Sequence, residues 1–202
     1  MNDIEFSAFL VSRVCHDLVG PLGAVVNGLE VLEDERDAAM RADALKIVTS
    51  SAAQALARLQ FMRIAFGAAG SAGAELDLGE VGRLVTGLLS GGRLSVEWEP
   101  SHAHWPKDWA KLLMNAALIA ADCLPRGGLI RISTPEGAPG FTITAEGTGV
   151  RISEDVAKAL HGEALEPDAR GVQPILTYRL ARGVNAGLTI TLKEGFVEIV
   201  AG

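Results

Sequence analysis

The sequence predicts an α+β protein, in which an N-terminal antiparallel helical hairpin is followed by a two-layer α/β sandwich. Three observations lead to this fold class. Residues 3 to 33 and the stretch "MRADALKIVTSSAAQALARLQFMRIAF" each keep a helical period, and the charged run "EDERDA" at 33–38 separates them. The composition of "GAAGSAG" at 67–73 is typical of a flexible linker. Beyond the linker, helical periods mix with strand-like alternation, which indicates helices packed on a sheet.

The linker predicts two domains, a helical hairpin over 1–70 and an α/β domain over 75–202. In the second domain four segments predict helices: "LDLGEVGRLVTGLL", "PKDWAKLLMNAALIAADCL", "SEDVAKALH" and "ILTYRLARGV". The second of these begins with proline and the third with a capping serine, Ser153, both of which favour a helix start. Five alternating segments predict strands that lean towards antiparallel pairing: "RLSVEWE", "GGLIRIST", "GFTITAE", "GLTITL" and "FVEIVA".

The composition excludes several classes of function. The chain has 202 residues, is 49% apolar and 21% charged, and carries a net charge of −7. This acidic balance argues against a nucleic-acid partner or an anionic membrane surface. No charged segment followed by an apolar one opens the sequence, so we expect a cytoplasmic protein whose two cysteines, Cys15 and Cys123, are reduced.

The segment "VCHDLVGPLG" at 14–23 places two glycines and a proline within two turns of His16 on a predicted helix. With about 100° per residue, an apolar stripe falls on the side away from His16. The stripe consists of Val11, Val14, Leu18, Leu22, Val25, Leu29 and Leu32. The opposite side holds Ser12, His16, Gly20, Gly23 and Asn27, with Arg13 at its edge. Because glycine removes side-chain bulk, a partner protein can approach the imidazole closely on this side.

An exposed imidazole beside a carboxylate suits nucleophilic chemistry. Histidine has an ordinary pKa of about 6.5, so much of it is neutral in the cell and one ring nitrogen is a nucleophile. Asp17 can hold the other ring nitrogen and so fix the tautomer. Attack on phosphorus would give a labile phosphohistidine. A metal site is not expected, because this side has no second ligand one turn away and "HAHW" at 102–105 lacks a third.

The stretch "HDLVGPLGAVVNGLEVL" resembles the H-box of dimeric histidine kinases and related phosphotransferases. His16, Asp17, Leu18, Pro21 and Leu22 match its pattern in register. The resemblance implies that His16 is the phosphorylated residue and that Asp17 is its catalytic neighbour. It also implies that the hairpin pairs with a second copy, which makes a homodimeric four-helix bundle.

The second domain resembles the GHKL-type ATP-binding domain of such kinases, in a degenerate form. "LLMNAALIAADCLPRGGLIRI" is similar to the N-box region, and "FTITAEGTGVRISEDV" to the strand and glycine loop that follow. By this resemblance Ile119 stands where a kinase has its Mg²⁺-binding asparagine, and Ala145 where it has the aspartate that reads adenine. "GVQPILTYRLARGV" replaces the glycine-rich lid. We therefore expect no ATP and no other cofactor or metal bound by this chain.

The whole pattern resembles the ChpT-type histidine phosphotransferases of alphaproteobacteria. The resemblance implies a phosphorelay intermediate: a hybrid-kinase receiver domain donates the phosphoryl group, response regulators accept it, and the receiver supplies the Mg²⁺. The residues expected to dock these partners are Arg13, Gly20, Gly23, Asn27 and Arg63. The alternatives are a non-catalytic, pseudokinase-like module that sequesters a partner protein, and a true kinase with an unusual ATP site.

Overall fold

The computed structural model describes residues 2–67, 74–90, 92–163, 168 and 171–202. It begins with two long antiparallel helices, α1 (Asp3–Asp34) and α2 (Ala38–Ala65), as the sequence predicts. Helix α1 starts with a capping box between Asn2 and Glu5 and continues unbroken through Pro21. The linker expected at 67–73 lies outside the described residues except for Gly67, so the domain boundaries stay a prediction.

The hairpin buries little of its own apolar surface. Only Phe6 and Gly28 of α1 are buried, and the predicted stripe is not a core within this chain. Val11 is 63% exposed and Leu22 is 51% exposed. Two helices bury only the seam between them, so the outer part of the stripe stays exposed in the single chain.

The exposed apolar residues of α1 form a continuous face along the helix. Its members are Ile4, Val11, Val19, Leu22, Val26 and Leu29. By length and composition alone, α1 is apolar enough to cross a membrane. However, Arg13, His16 and Asp17 lie midway along it, and one apolar side with one polar side is typical of a helix in a bundle.

The second domain contains a five-stranded sheet in the order β2-β4-β5-β7-β6. The strands are β2 (Leu94–Glu99), β4 (Gly128–Ser133), β5 (Phe141–Gly147), β6 (Leu188–Lys193) and β7 (Phe196–Ala201). Only the β2–β4 pair is parallel. The helices are α3 (Leu78–Leu89), α4 (Lys107–Asp122), α5 (Glu154–Leu160) and α6 (Val172–Gly183). Helices on a mostly antiparallel sheet form two layers, so the predicted fold class is confirmed.

A small second sheet was not predicted. Strands β1 (Glu75–Asp77) and β3 (His104–Pro106) pair antiparallel, so the last two residues of "HAHW" belong to a strand. Trp105 anchors β3 because its side chain is only 2% exposed. A three-residue strand is too short for its alternation to be recognised in the sequence.

The core lies between the sheet and helix α4. Strand residues such as Ile130, Ile143 and Ile199 pack with Leu112 and Leu113 in one buried cluster. The same cluster includes Phe61 and Ile64 near the end of α2. The core therefore extends from the second domain onto the hairpin and holds the two parts together.

Candidate functional site

His16 lies midway along α1 with its imidazole in contact with solvent. Its side chain is 65% exposed, and Nδ1 lies 3.0 Å from Oδ1 of Asp17. A carboxylate only accepts hydrogen bonds, so in the neutral ring Nδ1 carries the proton and donates it to Asp17. Nε2 then has the free lone pair, and within the described residues it forms no hydrogen bond. The arrangement presents one nucleophilic nitrogen to solvent.

Asp17 is itself held in place from the preceding turn. Nε of Arg13 donates a hydrogen bond of 2.8 Å to Oδ2 of Asp17, and the two side chains are only 19% and 13% exposed. Burial raises the pKa of Asp17, but the hydrogen bonds from His16 and Arg13 and the charges of Arg13 and Arg58 outweigh it, so the pKa lies below its ordinary value. The carboxylate therefore stays charged and remains the acceptor of the hydrogen bond from Nδ1 of His16.

Arg58 is a site residue that the sequence reasoning missed. It lies half-buried on α2, and its charge stabilises the ionised form of Asp17 on α1. The H-box pattern lies entirely on α1, so it contains no signal for a residue on the second helix. Only the pairing of the two helices brings Arg58 towards Asp17.

A cleft of about 500 Å³ opens beside His16, between α1 and the second domain. The hairpin contributes Arg13, His16 and Asp17 to its lining. The second domain contributes the remaining residues: Asp122, Arg151, Ser153, Asp155, Val156, Asp168, Gly171 and Pro174. The sequence reasoning missed this wall, because no local pattern tells which part of a second domain lies against the hairpin.

The predicted docking residues fall into three places. Arg13 lies in the cleft, where it binds Asp17. Gly20 and Gly23 are exposed, and a Cβ atom at either would meet nothing within 4 Å. Asn27 lines an apolar groove of about 450 Å³ on the same side of α1 as His16. Arg63 lies apart from them, in a groove with Cys15 that does not include His16.

The apolar groove beside Asn27 extends the His16 side towards the tip of the hairpin. It lies between α1 and α2 and is lined by Ala24, Asn27, Gly28, Val31, Met40, Asp43, Ala44 and Ile47. Three of these, Val31, Met40 and Ile47, are large apolar side chains that remain substantially exposed. The His16 side therefore has an open polar centre, a flat glycine segment and an apolar end.

The two positions that the resemblance relates to ATP binding are both in the core. Ile119 on α4 is 1% exposed, and Ala145 on β5 is fully buried. Neither side chain has a polar atom that could bind a metal ion or an adenine. Among the described residues, no three ligand-type side chains converge to form a metal site.

Comparisons with known proteins find relatives that cover most of the chain. Residues 78–195 match the family model described as the histidine phosphotransferase C-terminal domain. The chain is 38% identical over 204 positions to the protein phosphotransferase ChpT of Brucella abortus (strain 2308), with 99% of this chain and 95% of that protein covered. It is also similar to the solved structure of a bacterial phosphotransferase, with a TM-score of 0.91, 35% identity, and coverage of 100% and 98% of the two chains.

A likeness to a histidine kinase domain from Erythrobacter litoralis EL346 is weaker, with 16% identity and a TM-score of 0.49 over 90% of this chain and 92% of that one. The family model and the identity to ChpT over nearly the full length are sufficient to assign the chain to a family. The chain belongs to the ChpT-type histidine phosphotransferases, and the enzyme class and the family that its sequence suggests are both confirmed.

Proposed function

We propose that His16 receives a phosphoryl group from the aspartyl phosphate of a hybrid-kinase receiver domain and passes it to the aspartates of response regulators. The observation that carries this proposal is the Nδ1–Asp17 hydrogen bond of 3.0 Å on an imidazole that is otherwise open. A phosphotransferase needs a nucleophile that is oriented and reachable by a bulky partner, and His16 meets both needs. The relay operates in the cytoplasm.

The transfer step follows from this geometry. Nε2 of His16 attacks the phosphorus in line, the bond from phosphorus to the aspartate oxygen breaks, and its electron pair leaves with the receiver's carboxylate. The proton stays on Nδ1. The positive charge that develops on the ring is stabilised by the Asp17 carboxylate, which Arg13 holds in position. The onward transfer is the same step in reverse.

The Mg²⁺ that compensates charge in the transfer comes with the receiver domain. Support comes from the donor set of this chain, because no three His, Cys, Asp or Glu side chains converge to hold a metal ion among the residues described in the structure. The cleft residues of this chain position the imidazole and admit the receiver, and the cation chemistry belongs to the partner.

We also propose that the chain binds no ATP. Support comes from the buried apolar side chains of Ile119 and Ala145. The asparagine nearest to the N-box position, Asn115, is fully buried and donates its side-chain amide to the backbone carbonyls of Ala65 and Lys111. Its amide is therefore committed to the protein interior.

The receiver docks on the glycine segment and the apolar groove of the His16 side. Leucine at Gly20 or at Gly23 fills the open space where a partner must approach, so we expect phosphoryl transfer from the receiver to slow by about tenfold or more, about 1.4 kcal/mol. We expect no loss of stability, because glycine inside a helix is about 0.5–1 kcal/mol less favourable than a better helix former. Transfer kinetics and urea unfolding of each variant measure the two effects.

Gly87→Leu provides the matched control for this prediction. Gly87 also lies inside a helix, and a Cβ atom there also meets nothing within 4 Å, but it lies on α3 in the second domain. Transfer at the normal rate in Gly20→Leu and Gly23→Leu would contradict docking on this segment. A loss of transfer in Gly87→Leu of the same size would contradict its specificity.

The chain acts as a homodimer, with the exposed apolar face of α1 against a second copy. Three large apolar residues of α2 are also exposed, namely Leu45, Leu56 and Leu59, and Leu59 lines a groove together with Val11 of the α1 face. Cys15 lies within the α1 face and is exposed in the single chain. Burial of such a face at about 25 cal/mol per Å² is the driving force for a four-helix bundle.

A charge placed on that face separates the two copies. We expect Leu22→Asp to give a monomer of 21.2 kDa in light scattering at micromolar concentration, whereas the unchanged chain gives twice that mass. Labelling of the Cys15 thiol becomes faster in the monomer. Ile47→Asp is the matched control, because Ile47 is equally exposed at 51% but lines the groove on the other side of the hairpin. A dimeric Leu22→Asp variant or a monomeric unchanged chain would contradict the bundle.

A reconstituted relay tests the proposed function as a whole. A phosphorylated receiver domain of a hybrid kinase is mixed with the receiver of a response regulator, with and without this chain. We expect the label to reach the second receiver only when the chain is present. Stable binding of the receiver without any transfer would favour the alternative of a sequestering module.

A further inference from the structure

A buried polar network joins the second domain to the end of the hairpin. Gln173 on α6 is 1% exposed, and its Nε2 donates to the backbone oxygen of Asn115 at 2.8 Å, to Oγ1 of Thr177 at 3.2 Å and to Oδ1 of Asn115 at 3.3 Å. Asn115 in turn donates to the backbone oxygen of Ala65 at 3.0 Å. Ala65 is the last residue of α2. The network therefore runs from α6 through α4 to the hairpin.

The burial of this network makes it sensitive to change. Gln173, Asn115 and Thr177 are all at most 1% exposed. A buried amide that loses its partner bears the cost of desolvation, whereas a satisfied one specifies a single arrangement. Among the residues that the structure describes, Oδ1 of Asn115 has Gln173 as its donor. Removal of the Gln173 amide thus breaks this polar network at its centre.

Helix α6 is also attached to the other helix of the hairpin. Phe6 of α1 packs with Val172 and Leu176 in a small apolar cluster. The guanidinium of Arg179 lies 4.1 Å from the centre of the Phe6 ring, and its Nη1 lies 3.4 Å from Oδ1 of Asp3. Helix α6 is therefore fixed to the start of α1 and, through Asn115, to the end of α2.

The start of α6 is also part of the wall of the His16 cleft. Gly171 and Pro174 both line the cleft, and Gln173 lies between them in the chain. The amide that ties the domain to the hairpin is thus adjacent to the surface that lies across the cleft from His16. A change in the hydrogen bond between Gln173 and Asn115 therefore displaces Gly171 and Pro174, which lie close to Gln173 in the chain and line the cleft.

We propose that α6 is a brace and that Gln173 is a positioning residue for phosphoryl transfer, because it holds the wall of the cleft at a fixed distance from His16. This inference rests on the proposed function, since the receiver domain must enter the cleft to reach His16. The brace keeps the binding-competent arrangement populated before the receiver arrives. When only a fraction of the molecules is competent, the affinity for the partner falls by that fraction.

Kinetics with a phosphorylated receiver separate this role from simple stabilisation. If Gln173→Leu lowers the competent population to about a tenth, KM for the receiver rises about tenfold while kcat stays within about twofold. Phosphorylation of His16 by the small donor phosphoramidate stays unchanged, because it needs no second wall. Thr177→Val removes one acceptor of the Gln173 amide and gives a smaller rise in KM, which keeps the test available if Gln173→Leu fails to fold.

The matched control is Ile199→Val. Ile199 lies on β7, outside α6, and is 1% exposed. Loss of one methyl group there lowers the melting temperature but leaves the hydrogen bonds of Gln173 in place. We expect KM to be normal in this control well below its melting temperature. A rise in KM equal to that of Gln173→Leu would overturn the positioning role.

A distance measurement tests the brace without any receiver. Spin labels are placed on Ser50→Cys of α2 and Glu136→Cys of the β4–β5 loop, both exposed, in a Cys15→Ser background. Cys123 stays unlabelled, because it is buried and burial raises the pKa of its thiol to about 11. An excess of unlabelled chain ensures that nearly every dimer that carries label holds only one labelled copy.

Pulsed EPR should give one narrow distance distribution for the braced chain and a broad one for Gln173→Leu. Identical narrow distributions, or an unchanged KM in Gln173→Leu, would overturn the brace. If the unchanged chain accepts no phosphoryl group from any receiver, the proposed function fails, and the EPR distributions still decide whether Gln173 holds the two domains together.

Discussion

His16→Gln abolishes the uptake of phosphoryl groups from a phosphorylated receiver while the chain still folds and dimerises. Glutamine has no nucleophilic ring nitrogen, so no phosphoramidate can form. The fold is unaffected because the imidazole is 65% exposed and its hydrogen bond is to the adjacent Asp17. The measurement is the radiolabel retained on the chain after mixing, together with circular dichroism and light scattering of the variant.

The other histidines provide the control for this prediction. His102, His104 and His161 lie in the second domain, and the combined replacement of these three by glutamine should leave the label at its normal level. Retention of acid-labile label in His16→Gln would mean that another residue is the phosphoacceptor. That result would contradict the assignment of the site.

Asp17→Asn slows the transfer by about a hundredfold, the scale that loss of an orienting partner of a histidine typically has. The amide can donate to Nδ1, and this donation stabilises the ring tautomer with the proton on the nucleophilic Nε2. The amide also lacks the charge that binds Arg13 and that stabilises the positive ring. Single-turnover transfer kinetics measure the loss, and receiver binding measured separately should stay within about twofold.

The control for Asp17→Asn is Asp155→Asn. Asp155 lines the same cleft but has no hydrogen bond to His16, so at a saturating concentration of the receiver its replacement should leave the transfer rate within about twofold. Equal losses in the two variants would show that the cleft needs negative charge in general. Such a result would contradict the specific role of the bond between Asp17 and the imidazole.

The pKa of Asp17 also predicts how this role depends on pH. Because the folded chain lowers this pKa below its ordinary value of 3.8, the ionised carboxyl stabilises the fold above that value. The contribution is lost as the pH falls through the lowered folded-state pKa. Asp17 therefore stays charged across the neutral range, and changes of transfer rate with pH in that range arise from other groups.

The sequence was sufficient to predict the type of fold and to single out His16, with Asp17 beside it, as the candidate nucleophile. His16 and Asp17 are adjacent on one helix, so their proximity is a local property that the H-box pattern contains. The residues that act from elsewhere were not predictable in this way. Arg58 and Arg151 reach the site through the pairing of α1 with α2 and through the docking of the second domain, and Gln173 contacts Asn115 through the packing of α6 on α4. Contacts between segments that are distant in the chain leave no periodic pattern in the sequence.

The apolar stripe of α1 illustrates a second limit. Its period correctly predicts a helix with one apolar side, but the period does not tell whether that side is covered within one chain or between two chains. Leu22 and Leu29 remain exposed in the single chain, whereas Val14 and Val25 are partly covered by the hairpin. The pattern alone therefore does not show that this side is an open face in the single chain.

The central claim is that His16 takes its phosphoryl group from a receiver domain and not from ATP. The most direct test incubates the chain with a radiolabelled, phosphorylated receiver domain of a hybrid kinase and, in parallel, with labelled ATP and Mg²⁺. We expect acid-labile, base-stable label from the receiver alone, and none in His16→Gln. Label from ATP would contradict the account and identify an autophosphorylating kinase, and the absence of label from the receiver would contradict the phosphotransfer itself.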